Sequence, residues 1–207
     1  MVGKISIGVI GIQGAITEHI NSIEKTLEET NTSGKVFVVN KKEEIDNIDA
    51  LLIPGGESTV ISRILFRSGL YSAIFKRLER KNLPIMGTCA GCVLLASKIS
   101  NDSKDIKLLN AIEMEVTRNA FGRQEESFEK KINIEGLINP YNAIFIRAPV
   151  IEKVWGSCKI LAKIENKMVM IRQENILALS FHPELTNDLR IHKYFLDMIQ
   201  IYKSKDL

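Results

Sequence analysis

The first half of the chain alternates unbroken apolar runs with amphipathic stretches, and this alternation restricts the fold more than any other property. Lys4 to Gly11 reads as a strand buried in a parallel sheet. Ile16 to Glu29 follows, with Ile16, Ile20, Ile23 and Leu27 at helical spacing. Asn31-Thr32-Ser33-Gly34 breaks that helix, and Val36-Phe37-Val38-Val39 supplies a second strand. Asp49 to Pro54 is a third strand, and Ser58 to about Arg80 a long helix with an interruption expected near Ser68-Gly69. Leu83-Pro84-Ile85-Met86 then forms a strand, and the apolar Val93-Leu94-Leu95-Ala96 belongs to the helix after it. A βαβα order of this kind implies an α/β fold, with a mostly parallel central sheet and helices on both faces.

The second half changes character. Ile112 to Val116, Phe128 to Ile134 and Ala143 to Ile146 look like strands with short links, so antiparallel strands are added to the sheet. Cys158 to Ile164 and Met168 to Arg172 read as a hairpin, and Ile176 to Phe181 as a return strand. A terminal helix from about Asn187 to Tyr202 offers Leu189, Tyr194, Phe195, Met198 and Ile201 to the core. No repeat, low-complexity tract or linker divides the chain, so residues 1–207 read as one domain.

A net charge of +3, with no basic run interleaved with aromatics, gives no support to nucleic-acid binding. The apolar stretch Ile5 to Ile12 is too short to span a membrane and lacks a signal-peptide cleavage pattern. Three Cys and no export signal point to a reducing compartment, and a cytoplasmic location is expected.

Gly87-Thr88-Cys89-Ala90-Gly91 frames one Cys with small residues between a strand and a helix. That is the requirement of a nucleophile elbow: the turn is too tight for side chains on both flanks, and the helix N-terminus behind the thiol favours a thiolate. A nucleophile needs a base, and three His are available. His19 and His192 sit in helices amid charged residues and read as solvated. His182 ends an apolar strand and is followed by Pro183 and Glu184. In extended chain His182 and Glu184 project to one side, so the carboxylate can fix the imidazole tautomer. The carboxyl ends of parallel strands share one sheet edge, which brings His182 to the elbow.

Pro54-Gly55-Gly56-Glu57-Ser58-Thr59 follows the third strand at the same edge. It reads either as a Gly turn with Ser58 as helix N-cap, or as paired glycines that expose backbone N–H groups to an oxyanion, with Glu57 and Ser58 facing a ligand.

The elbow followed far downstream by His182-Pro183-Glu184 resembles the class I (triad) glutamine amidotransferases. Five segments narrow the resemblance to the glutaminase subunits of pyridoxal 5′-phosphate synthase. They are Gly11 to Ala15, Pro54 to Thr59, Arg118-Asn119-Ala120-Phe121-Gly122-Arg123-Gln124, Phe145-Ile146-Arg147-Ala148-Pro149 and Ser180 to Thr186. The resemblance implies a flavodoxin-like three-layer domain with Cys89 as nucleophile, His182 as general base then acid, and Glu184 as orienter. It further implies glutamine contacts from Gly56, Glu57, Ser58, Arg118, Ile146 and Arg147, and oxyanion donors near Gly56 and Ala90. Chemistry fits: a free amino acid needs a cation for its carboxylate, from Arg118 or Arg147, and an acceptor for its ammonium, such as Glu57. The implied reaction is hydrolysis of L-glutamine through a γ-glutamyl thioester, with no metal and no cofactor. Ammonia then passes to a partner, by resemblance the synthase subunit, with Gln13-Gly14 near the docking surface. Departures are small: Cys92 stands where an apolar residue is usual, and the link Glu28 to Lys35 is longer.

Three other readings stay open. The glutaminase subunit of imidazole glycerol phosphate synthase has a similar triad, but Gly55 to Thr59 and the Arg118 to Gln124 segment favour the pyridoxal type. Cys89-Ala90-Gly91-Cys92 is formally C-x-x-C, the spacing of a thiol redox protein. A catalytically silent binding module on the same fold is the third.

Overall fold

The computed structural model describes residues 4–101, 105–121 and 126–205. Gly122, Arg123 and Gln124 of the Arg118 to Gln124 segment lie outside them. Strand β1 (Ile5–Ile10) is the hub of the N-terminal half, paired in parallel with β2 (Gly34–Val39) on one side and β3 (Ala50–Ile53) on the other. Strand β4 (Ile85–Thr88) continues in parallel beside β3, and β12 (Ile176–Leu179) joins in parallel beyond β4. The chain order and the sheet order therefore cross over, and helical connections cover both faces.

Residues alternate between the two faces. Leu51 and Ile53 of β3, Ile85 of β4 and Ala178 of β12 face one core, with α2 (Ser58–Arg67), α3 (Leu70–Glu79) and α4 (Ala90–Leu95). Ala50, Leu52, Met86, Leu177 and Leu179 face the other, with α1 (Ile16–Glu29) and α5 (Arg190–Lys205). Both sets are buried, which is why these strands are continuous apolar runs in sequence. The expected interruption after α2 falls at Gly69, whose φ of 78° is a left-handed conformation that glycine takes without penalty.

Beyond β12 the sheet turns mixed. Strand β11 (Lys167–Gln173) is antiparallel to β12 and also pairs with β10 (Lys159–Ile164) and β9 (Val150–Val154). Strand β9 pairs antiparallel with β6 (Ile112–Thr117), and β5 (Ala96–Ile99) closes the edge in parallel with β6. Strands β7 (Ser127–Ile132) and β8 (Tyr141–Ile146) form a separate hairpin on the α1 and α5 side.

Several expectations are corrected. Strands β5 and β9 were not anticipated: α4 spans only Ala90–Leu95, and Ala96 leaves it directly as strand. The return strand ends at Leu179 rather than Phe181: the Ser180 N–H still bonds to Val169 of β11, but the His182 N–H turns to Ile144 of the hairpin. In α5, Ile201 is exposed and Leu189 precedes the helix, while Ile191, Leu196 and Ile199 join Phe195 and Met198 in the core. Among the described residues no helix is long and apolar enough to cross a membrane.

Candidate active site

Strand β4 delivers Cys89 to the carboxyl edge of the sheet, and the backbone there is under strain. Cys89 adopts φ 50° and ψ −103°, outside the ordinary regions for a residue with a Cβ. The surroundings enforce it: the Cys89 N–H donates to the Leu179 carbonyl at 2.8 Å, and its own carbonyl accepts from Val93 N–H at 3.2 Å. The small-residue frame has a matching reason. A Cβ on Gly91 would lie 2.0 Å from the Ile53 carbonyl oxygen, so only glycine lets α4 lie this close to β3. Cys89 is 8% exposed, and its Sγ lies 3.7 Å from the Ile146 carbonyl oxygen.

His182 reaches the same edge from the end of β12. It pairs with Glu184, though not in extended chain: Pro183–Leu185 is a 3₁₀ turn that folds the carboxylate back, with Glu184 Oε1 2.7 Å from His182 Nδ1. Pro183 suits the first position of such a turn, where its missing N–H is not needed. Burial works against a charged His182, but contacts with the Cys89 thiol and the Glu184 carboxylate outweigh it and push the imidazole up to about 10. A cationic imidazole against the thiol is what a thiolate requires.

The third wall is the loop after β3. A Cβ built on Gly55 would meet His182 Cε1 at 2.6 Å and Cys89 Cβ at 3.3 Å, so this glycine is the point of closest approach between loop and dyad. The Gly55 carbonyl oxygen packs against Gly14, and in a planar trans peptide the Gly56 N–H points the opposite way. The helix N-cap is Glu57, not Ser58. Its carboxylate accepts from Thr59 N–H at 3.1 Å and Val60 N–H at 2.8 Å, and Ser58 is buried as the first helical residue. Glu57 also pairs with Arg118 at 3.1 Å. Burial opposes its charge, yet the two N–H groups and Arg118 hold the carboxyl below the usual range. Glu57 N–H in turn donates to the Gln13 side-chain oxygen at 3.0 Å.

These groups line one cleft of about 460 Å³. Gly56, Glu57, Ser58, Cys89, Ala90, Arg118, Ile146, Arg147 and His182 all border it, and Gln13, Gly14 and Asn119 are among its other lining residues. Glu184 lies behind the imidazole, fully buried. Every residue expected at the site is thus at or directly behind one cleft, although Arg147 stands at its mouth. Its guanidinium is largely exposed beside Glu126 at 3.4 Å, and its backbone φ is 44°. Cys92 is fully buried inside α4, and burial, then Cys89, pushes its thiol far up, so it packs as a small apolar residue.

Two functional-site neighbours were misread in the sequence. His19 and His192 are not solvated: they are 0% and 2% exposed, and His19 Nε2 lies 3.2 Å from Glu184 Oε2. The signal was present. His19 falls between Ile16 and Ile23 on the apolar stripe of α1, and His192 falls beside Ile191 and Phe195 on α5.

Known proteins resemble the chain in sequence and in fold. The chain is 44% identical over 191 residues to the pyridoxal 5′-phosphate synthase subunit PdxT of Pyrococcus horikoshii, covering 92% of this chain and 97% of that protein. It is 44% identical over 198 residues to the PdxT subunit of Brevibacillus brevis, covering 96% and 99%. A crystal structure of a glutamine amidotransferase superposes with a TM-score of 0.83 at 40% identity, over 93% of this chain and 98% of that one. A glutamine amidotransferase from Thermotoga maritima shares the fold alone, with a TM-score of 0.62 at 11% identity and coverage of 98% and 96%. Residues 9–201 match the SNO glutamine amidotransferases, and the chain belongs to that family.

Proposed function

We propose that the chain is the glutaminase subunit of a pyridoxal 5′-phosphate synthase, releasing ammonia from L-glutamine for a synthase partner. The observation that carries the chemistry is the convergence of a strained Cys89, the His182–Glu184 pair at 2.7 Å and the Gly55-Gly56 loop on one cleft. Cys89 attacks the side-chain carboxamide carbon as thiolate, and the tetrahedral oxygen is held by backbone N–H groups of Gly56 and Ala90. His182, holding a proton, gives it to the departing amine, so that ammonia leaves and a γ-glutamyl thioester remains. Water then loses a proton to His182 as it attacks the thioester, and glutamate departs. Glu184 keeps His182 in the Nδ1–H tautomer throughout.

Substrate contacts follow from charge. Arg118 is the cation nearest the loop and takes the α-carboxylate, while Glu57, Ser58 and the Ile146-Arg147 backbone border the rest of the amino acid. The Gln13–Glu57 hydrogen bond links the surface around Gln13-Gly14 to the oxyanion loop, which supports docking of the synthase there as the activating event. Glutamate release is to be measured with and without the synthase subunit, with Cys89→Ala as control. Loss of turnover in that variant, glutamine protection of Cys89 from alkylation and stimulation by the synthase are expected. An active Cys89→Ala variant rules out the mechanism, and full turnover by the isolated chain rules out activation by docking.

A further inference from the structure

The carboxylate that pairs with His182 has a second histidine behind it. Glu184 is fully buried, and its Oε1 is taken by His182, but Oε2 has no hydrogen-bond partner in the described structure. A buried carboxylate oxygen without a donor is costly, so the group nearest to it matters. That group is His19, whose Nε2 lies 3.2 Å from Oε2 and 3.1 Å from the Thr88 hydroxyl oxygen. The other ring nitrogen, Nδ1, faces His192 Nε2 at 3.4 Å.

We propose that His19 is a positioning residue that supplies an Nε2–H to the outer oxygen of Glu184, with His192 fixing its tautomer. The inference rests on the glutaminase reading and adds to the triad a histidine from the first helix.

The tautomer follows from the neighbours. Groups facing His19 are Thr88 at the end of β4, Glu184 and His182 around the 3₁₀ turn, and His192 from α5. If Nε2 lacked a proton, its lone pair would face a carboxylate oxygen 3.2 Å away, a repulsive contact. With the proton on Nε2, Nδ1 is the acceptor and takes the Nε2–H of His192. His19 stays neutral in this arrangement: burial, His192 and His182 all push it well below the usual histidine range. Glu184 is therefore clamped between an imidazolium on one oxygen and a neutral imidazole N–H on the other, and cannot swing away from His182 without losing both.

The test uses His19→Phe, which keeps the ring and removes the donor, and His19→Gln, whose amide N–H reaches about where Nε2 lies. In the assembled complex with the synthase, His19→Phe is expected to lower kcat for glutamine hydrolysis about tenfold, as for loss of one charge-assisted hydrogen bond, with KM little changed. In the isolated chain, Cys89 alkylation by iodoacetamide should move to higher pH, because a loosened Glu184 stabilises the His182 imidazolium less. His19→Gln should recover most of both effects. Equal losses in the two variants, or wild-type kcat and alkylation profile in His19→Phe, overturn the proposal. Nitrogen NMR of histidine-labelled wild-type chain gives a measurement free of folding defects: a neutral Nε2–H tautomer at His19 is expected, and an Nδ1–H tautomer or a cation at neutral pH overturns it. A wild-type complex that fails to hydrolyse glutamine refutes the glutaminase reading, while the alkylation and NMR results still decide the role of His19.

Discussion

Gly55→Ala tests the geometry of the cleft with one methyl group. The added Cβ would sit 2.6 Å from His182 Cε1, 3.3 Å from Cys89 Cβ and 3.4 Å from His182 Nδ1. Carbon atoms pack comfortably at about 3.5–4.0 Å, so the imidazole must withdraw by about 1 Å. Gly55 does not occupy the left-handed region, so alanine meets no backbone penalty, and its effect on the unfolded chain favours folding by about 0.4–1 kcal/mol. Displacement of the ring opposes this by about 1–3 kcal/mol, so the fold loses at most about 2.6 kcal/mol and stays intact. Catalysis should respond far more. A misplacement of about 1 Å costs on the order of 100-fold, equivalent to about 2.7 kcal/mol on the barrier. The assay is kcat/KM for glutamine hydrolysis by the complex with the synthase, alongside thermal unfolding of the isolated chain. Turnover within about threefold of wild type, with an intact fold, would show that the loop yields instead of the ring and refute the reasoning.

Further outcomes are expected. Arg118→Ala removes the cation beside Glu57 and should raise KM for glutamine about 10- to 100-fold, the worth of a charged hydrogen bond, whereas Arg147→Ala at the exposed mouth should change it little; KM values in the reverse order would exclude this assignment. Gly91→Ala drives a Cβ to 2.0 Å from a β3 backbone oxygen that cannot move aside, and thermal denaturation should report a loss of about 3 kcal/mol. Acid should unfold the protein partly through His192, which burial pushes down from 6.5 to about 4. Between those values the unfolded chain binds a proton that the native state refuses, so this stabilisation is present above pH 6.5 and about 3 kcal/mol of it is lost as pH falls through about 4. In His192→Gln the decline of stability over that interval, followed by denaturant melts, should be shallower, and an unchanged slope counts against the argument.

The site was legible where chemistry is coded locally. Gly87 to Gly91 announces a strained turn because few residues tolerate one, and the Gly55-Gly56 pair marks close backbone approach. The pairing of His182 with Glu184 was expected for the wrong reason: Pro183 bends the chain into a 3₁₀ turn, and the carboxylate arrives by folding back rather than by strand alternation. Glu57 borders the cleft, and it, rather than Ser58, caps the start of α2 while also pairing with Arg118. That choice between Ser58 and Glu57 depends on side-chain reach, which spacing does not encode.

By itself the sequence determined the α/β layering, the parallel half of the sheet and the residues that meet at its carboxyl edge. Apolar periodicity and glycine placement are local properties, and they suffice for those conclusions. Tertiary structure alone decided what stands behind the triad. Whether a helix histidine faces water or the sheet depends on how α1 and α5 rotate when they pack, and that rotation puts His19 against Glu184 and His192 against His19. Strands β5 and β9 were likewise settled by their neighbours, because short strands of mixed polarity take their identity from the partners that complete their hydrogen bonds.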